Sequence, residues 1–154
     1  MKPVAIVYAS MSGNTEAIAD IILEKLKSHP IQADLLEIVD LDSATELQEY
    51  DMVFLGLYTW GDGEYPDESL DLVEELEELN LSSKAFALFG SGDHSYPHFC
   101  GAVDMLEELI ENRGGVLAAK SLKIELSPNE SDEKRIEDFV NEAWNHIQKG
   151  AAVG

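Results

Sequence analysis

Ser10-Met11-Ser12-Gly13-Asn14-Thr15 stands between the apolar run Val4-Ala5-Ile6-Val7-Tyr8 and a segment in which Ile18, Ile21, Ile22 and Leu26 recur at helical spacing. A continuous apolar run of that length suits a strand buried on both faces. The spacing behind it suits a helix with one apolar stripe. The turn between them is small, rich in hydroxyls and contains a glycine. Such a turn leads backbone N–H groups and a helix N-terminus toward one point, which favours an anion. No Lys or Arg lies in the loop. A nucleoside triphosphate site would carry a P-loop lysine and a metal-binding hydroxyl after it. Neutral donors alone fit a lone phosphomonoester better.

Two more loops follow apolar runs, and in a parallel sheet all three gather at one edge. Thr59-Trp60-Gly61-Asp62-Gly63-Glu64-Tyr65-Pro66 follows Met52-Val53-Phe54-Leu55-Gly56-Leu57. Ser91-Gly92-Asp93-His94-Ser95-Tyr96-Pro97-His98-Phe99-Cys100-Gly101 follows Ala85-Phe86-Ala87-Leu88-Phe89. Trp60 and Tyr96 belong to no helical stripe and to no alternating strand. An aromatic set among glycines and aspartates is placed to cover something flat. Two of them near a phosphate turn point to a planar, phosphorylated ligand held by stacking.

The chain of 154 residues is the size of one domain. Residues 1–149 read as that domain, and 150–154 as a flexible C-terminal tail. The apolar runs fall short of a membrane span. Met1-Lys2-Pro3-Val4 leads straight into the first strand without the form of a signal peptide, so a cytoplasmic location is expected. The single cysteine, Cys100, agrees with a reducing compartment. Thirty-one acids face ten bases, a formal net charge of −21. No Lys or Arg occurs between Lys27 and Lys84, an interval that holds sixteen of the acids. Such a field repels nucleic acid and anionic membranes and speeds encounter with basic proteins.

Strand-like and helix-like segments alternate from end to end. Strands are expected at Val4–Tyr8, Ala33–Ile38, Met52–Tyr58, Lys84–Gly90 and Val116–Leu126. Helices are expected behind the first loop, at Pro66–Leu79, at 101–112 and from near Ser131. The last has the stripe Ile136, Phe139, Val140, Ala143, Trp144 and Ile147, which assigns Trp144 to the core. This alternation argues for an α/β fold, a parallel sheet with helices on both faces.

From Val4 to Ile147 the chain resembles the flavodoxins, of the short-chain group. The family's first-strand signature is met by Ile6, Val7, Tyr8, Ser10, Gly13, Thr15, Ala19 and Ile22. Thr59-Trp60-Gly61-Asp62 resembles one flavin loop; Gly90, Gly92-Asp93, Ser95-Tyr96 and Phe99-Cys100-Gly101 resemble the other. The resemblance implies a flavodoxin-like three-layer sandwich, its five-stranded parallel sheet in the order 2-1-3-4-5. It also implies non-covalent FMN. Ser10, Ser12, Asn14 and Thr15 would donate to the phosphate, with the amide of Gly13. Trp60 and Tyr96 would cover the two faces of the ring, and Asp93 would lie near its pyrimidine edge. Met11, Thr59, Gly61, Asp62, Gly90, Ser91, Gly92, Phe99 and Cys100 complete the candidate cofactor-binding set. Cys100, near a helix start, is open to a lowered pKa, but a small buried residue is the preferred reading.

The function implied is low-potential one-electron carriage rather than enzymatic catalysis, cycling mainly between semiquinone and hydroquinone. The donor would be an NADPH-dependent flavoprotein reductase. Acceptors would be redox enzymes such as a cytochrome P450 or a desaturase, docked on the acidic surface around the flavin edge of a monomer. Two devices would separate the electron steps. The Gly61–Asp62 peptide can offer its carbonyl to N5 because glycine takes positive φ cheaply. The acids oppose a further negative charge: one ~10 Å away contributes roughly 1.7 kcal/mol at an effective dielectric near 20. The alternative is an FMN-dependent NAD(P)H:quinone reductase of similar fold. The four histidines form no metal-ligand spacing, and no nucleophile–base pair is specified.

Overall fold

The computed structural model describes the backbone of residues 2–61 and 63–153, and side chains as far as Lys149. Asp62 and Gly154 therefore lie outside what is described; of the expected tail at 150–154, the backbone of 150–153 continues the last helix, and the side chains of 150–154 are not described. Among the described residues, six strand segments and four α-helices follow one another: β1 (Val4–Tyr8), α1 (Asn14–Leu26), β2 (Ala33–Glu37), β3 (Met52–Tyr58), α2 (Leu70–Glu78), β4 (Ala85–Gly92), α3 (Gly101–Asn112), β5 (Val116–Leu117), β6 (Leu122–Glu125) and α4 (Glu130–Val153). The sheet is parallel, in the order β2-β1-β3-β4-β5, with β6 also paired to β4. This is the expected flavodoxin-like order.

Every residue of β1 is buried, as a strand covered on both faces requires. Its side chains still alternate. Val4, Ile6 and Tyr8 enter one core with Ile18, Ile22, Phe54, Phe89, Phe139 and Trp144, under α1 and α4. Ala5 and Val7 enter the other with Leu55, Phe86, Leu76, Val103 and Leu106, under α2 and α3. The two cores are the two faces of one sheet, and the layers follow from that alternation.

Two elements differ from expectation. The strand read as Val116–Leu126 is two short pieces in one lane. Val116 and Leu117 pair with Ala85 and Phe86, and Leu122 pairs with Phe89. Four residues therefore span a gap that two span on β4, and the surplus bulges out. Ala118 still donates its N–H to Phe86 (2.7 Å), whereas the Ser121 hydroxyl turns to Glu107 (2.6 Å). The helix read as Pro66–Leu79 is regular only from Leu70. The Ser69 hydroxyl donates to the Pro66 carbonyl (2.7 Å), and Asp67–Ser69 close as a 3-10 turn. At α4, the Asn129 side chain accepts from the Asp132 N–H (2.9 Å). Asp132 accepts in return from the Asn129 N–H (3.1 Å), a reciprocal cap that starts the helix beside Ser131.

Candidate functional site

β1 has β2 on one side and β3 on the other, so the chain reverses its direction of travel across the sheet at β1/β3. In open parallel sheets the crevice beyond the strand ends at such a point is where ligands bind. A cavity of about 460 Å³ lies there. It is lined by Met11, Ser12 and Asn14 of the first loop, Thr59, Trp60 and Gly61 of the second, and Ser91, Gly92, Asp93, Tyr96 and Cys100 of the third. Tyr58, His98 and Leu126 complete the wall. The volume falls within the range of small-molecule sites.

At the helical end, α1 begins after Gly13, which has φ +92° and closes the first turn with no side-chain cap. Its leading N–H groups are thus left for an anion. The Ser10 hydroxyl accepts from the Gly13 N–H (3.0 Å) and shapes the turn from behind. Thr15 is fully buried and shares a hydrogen bond of 2.7 Å with the Ser91 hydroxyl, joining the first loop to β4. Ser10, Gly13, Thr15, Gly90 and Phe99 are not among the lining residues.

At the other end, Trp60 is 44% and Tyr96 58% exposed, two large aromatics left at the mouth of one cavity. The second loop holds itself: Trp60 and Glu64 exchange backbone hydrogen bonds of 2.8 and 2.7 Å, and Gly61 and Gly63 carry φ of +53° and +98°. Thr59 accepts from the Ala102 N–H (3.1 Å), tying β3 to the start of α3. In the third loop Asp93 accepts from both the N–H (2.9 Å) and the hydroxyl (2.7 Å) of Ser95. Those bonds, the backbone one foremost, hold its carboxyl below the usual carboxylate range. The mouth therefore keeps this negative charge at neutral pH. Tyr58 donates to Glu68 (2.8 Å), and burial followed by that bond pushes its phenol up to about 12.

Cys100 is 1% exposed, and burial raises its thiol to about 12. Proximity to a helix start does not activate it, and of the two readings the buried structural one holds. His94 stacks on Phe99 at 3.6 Å and pairs with Glu125 at 2.9 Å. Trp144 is 6% exposed, as its stripe required.

A neutral, donor-rich anion end and a wide mouth with two aromatics fit a phosphorylated planar ring of the size of FMN. A family model described as Flavodoxin matches residues 6–139. The chain belongs to the flavodoxin family. "Probable flavodoxin 2" of Bacillus subtilis is 49% identical over 139 residues, covering 90% of this chain and 92% of that one. The crystal structure of oxidised flavodoxin 1 from Bacillus cereus superposes with a TM-score of 0.89 at 38% identity, covering 94% and 98% of the two chains. A short-chain flavodoxin associated with a PDU bacterial microcompartment superposes at 0.90 with 29% identity, covering 96% and 99%. Flavodoxins bind FMN and carry electrons between redox partners; they are carriers rather than enzymes, and so is this chain.

Sequence reasoning missed Tyr58, His98, Leu126 and the residues beside Leu126. One signal could have found the last group. Leu126 follows the final parallel strand, so it must emerge at the same edge as the three loops.

Proposed function

We propose that this flavodoxin is a low-potential one-electron carrier whose loops hold FMN in the cavity beyond β1, β3 and β4. The observation that carries the reading is the pairing of an uncapped helix start with two exposed aromatics across one cavity. Ser10, Ser12, Asn14 and Thr15, with the first amides of α1, would be the phosphate donors. Trp60 and Tyr96 are the ring covers, and Asp93 with the backbone of Gly92 borders the pyrimidine edge. Bound FMN supplies two one-electron couples, which the chain must set apart. Gly61 supports the first separation. It already has φ +53°, a backbone conformation that glycine takes cheaply. Its peptide carbonyl would offer the flavin ring edge a hydrogen-bond acceptor when FMN is bound. Gly61→Val confines that peptide. It lowers the first potential by about 60 mV, the equivalent of one tenfold factor, as read by anaerobic redox titration. An unchanged potential removes Gly61 from this role.

The second separation is electrostatic. Asp93 stays charged at the mouth. A groove of about 570 Å³ beside α2 is walled by carboxylates that include Asp42, Asp67, Glu68, Asp71, Glu74 and Glu75. This surface supports docking of basic faces on a flavoprotein reductase as donor and on acceptor enzymes such as a cytochrome P450 or a desaturase. Among the described residues no helix is long and apolar enough to cross a membrane. A cytoplasmic monomer with an open flavin edge suits a carrier that serves several partners. The test is stepwise anaerobic reduction of the FMN-loaded protein followed by its visible spectrum. Two resolved one-electron steps, the second at much lower potential, are expected. A single two-electron bleach overturns carriage and favours the quinone-reductase alternative.

A further inference from the structure

We infer that the segment Glu125–Leu126–Ser127, which leaves β6 at the cavity rim, is a fourth element of the site. Its Ser127 acts as a positioning residue for Asn14. The inference rests on the reading of this cavity as the FMN site. The segment touches both ends of the cavity. Ser127 donates its hydroxyl to the Asn14 carboxamide oxygen at 2.8 Å. Leu126 donates its N–H to the Gly92 carbonyl at 2.8 Å and forms part of the wall. Glu125 accepts the His94 N–H on one carboxylate oxygen (3.0 Å), and the same oxygen lies 2.9 Å from the His94 ring Nδ1. His94 in turn stacks on Phe99. One short segment thus ties the phosphate loop to the ring loop.

The chemistry of the carboxamide makes the Ser127 contact directional. An Asn side chain has an accepting oxygen and a donating NH₂ on opposite branches. With the oxygen turned to Ser127, the NH₂ is turned the other way, and Asn14 itself lines the cavity. Ser127 thus anchors the carboxamide in an arrangement that leaves its NH₂ free as a donor to an anion. The segment is also held in a shape that an unconstrained loop would avoid. Leu126 has φ +55°, a left-handed conformation that is strained for a non-glycine residue. Ser127 precedes Pro128, which restricts it to extended conformations. Strain of this kind persists where the surroundings over-determine it, and it concentrates at ligand clamps.

The two ends of the segment make different predictions for FMN and for riboflavin, which lacks the phosphate. Apoprotein of the full chain, titrated with each ligand by flavin fluorescence, is the assay. Ser127→Ala raises the FMN dissociation constant about fivefold, the scale of one hydrogen bond, and leaves that of riboflavin unchanged. Ser127→Thr, which keeps the hydroxyl, restores FMN binding. Glu125→Ala, acting on the ring loop, raises the riboflavin constant about fivefold. Equal loss of both ligands from Ser127→Ala, or no loss of either, overturns the inference. Failure of the wild-type apoprotein to bind FMN overturns instead the reading on which it rests.

Discussion

Gly90→Ala destabilises the protein by about 3 kcal/mol, near the upper end of what a single overpacked methyl costs. Gly90 sits inside β4, paired with Leu57 of β3. A Cβ built there lies 2.6 Å from the Leu57 carbonyl oxygen and 2.4 Å from a methyl of Val103. Val103 can change rotamer, but it is fully buried and its own space is filled. The Leu57 carbonyl cannot move without opening the β3–β4 ladder, one of the central pairings of the sheet. Native stability is about 5–15 kcal/mol for an ordinary domain, so the loss is a large fraction of the whole. Urea unfolding of the apoprotein reads it as a lower midpoint at unchanged slope. Thermal unfolding reads it as a drop of about 6–12 °C for a chain of this size. A midpoint within 1 °C of wild type would show that the strands part at little cost, and that Gly90 is there for another reason.

That prediction bears on how the site is read. By resemblance Gly90 belongs to the cofactor-binding set. Its close approach to Leu57 and Val103 gives it a packing role one layer beneath the cavity. Thr15 has moved in the same direction: its hydroxyl bonds Ser91 and pins the first loop to β4. A loop motif names residues that must be small or hydroxylated. It does not distinguish those facing the ligand from those that hold the facing residues in place. The distinction depends on which partner lies across the sheet, and partner choice is tertiary.

The fold was legible where side-chain pattern and length agree. β3 runs Met52–Tyr58 and α3 runs 101–112 as their apolar patterns required, and β1 is buried along its whole length. The break between β5 and β6 was not legible. Val116–Leu126 carries no glycine or proline, and the surplus of two residues exists only relative to β4. Register is a property of the pair of strands. The shortening of α2 depends on one hydroxyl, that of Ser69, choosing a backbone carbonyl three residues back. Local competition of this kind is within reach of a sequence argument. Glu125–Ser127 was missed for a plainer reason. Its residues are ordinary, and only the convergence of all parallel strand ends brings them to the cavity.

Trp60→Ala weakens FMN binding about 10- to 100-fold while leaving the stability of the apoprotein unchanged. Stacking of an aromatic side chain on a planar base contributes about 1–3 kcal/mol, and 1.4 kcal/mol is a factor of ten. The flavin ring offers a larger face than a nucleobase. The claim about stability follows from where the side chain is. Trp60 is 44% exposed and belongs to neither core, unlike Trp144, which packs on His29 at 4.7 Å. Its loop is held by the two backbone hydrogen bonds with Glu64 and by positive φ at Gly61 and Gly63, none of which needs the indole. Removing the indole therefore removes a surface for the ligand and leaves the frame. Urea midpoints of the apoproteins and FMN titrations of the same samples measure the two effects separately. A destabilised apoprotein would mean that the indole folds against the domain when no flavin is bound. Unchanged FMN affinity would assign the ring contacts to Tyr96 and the backbone of the third loop alone.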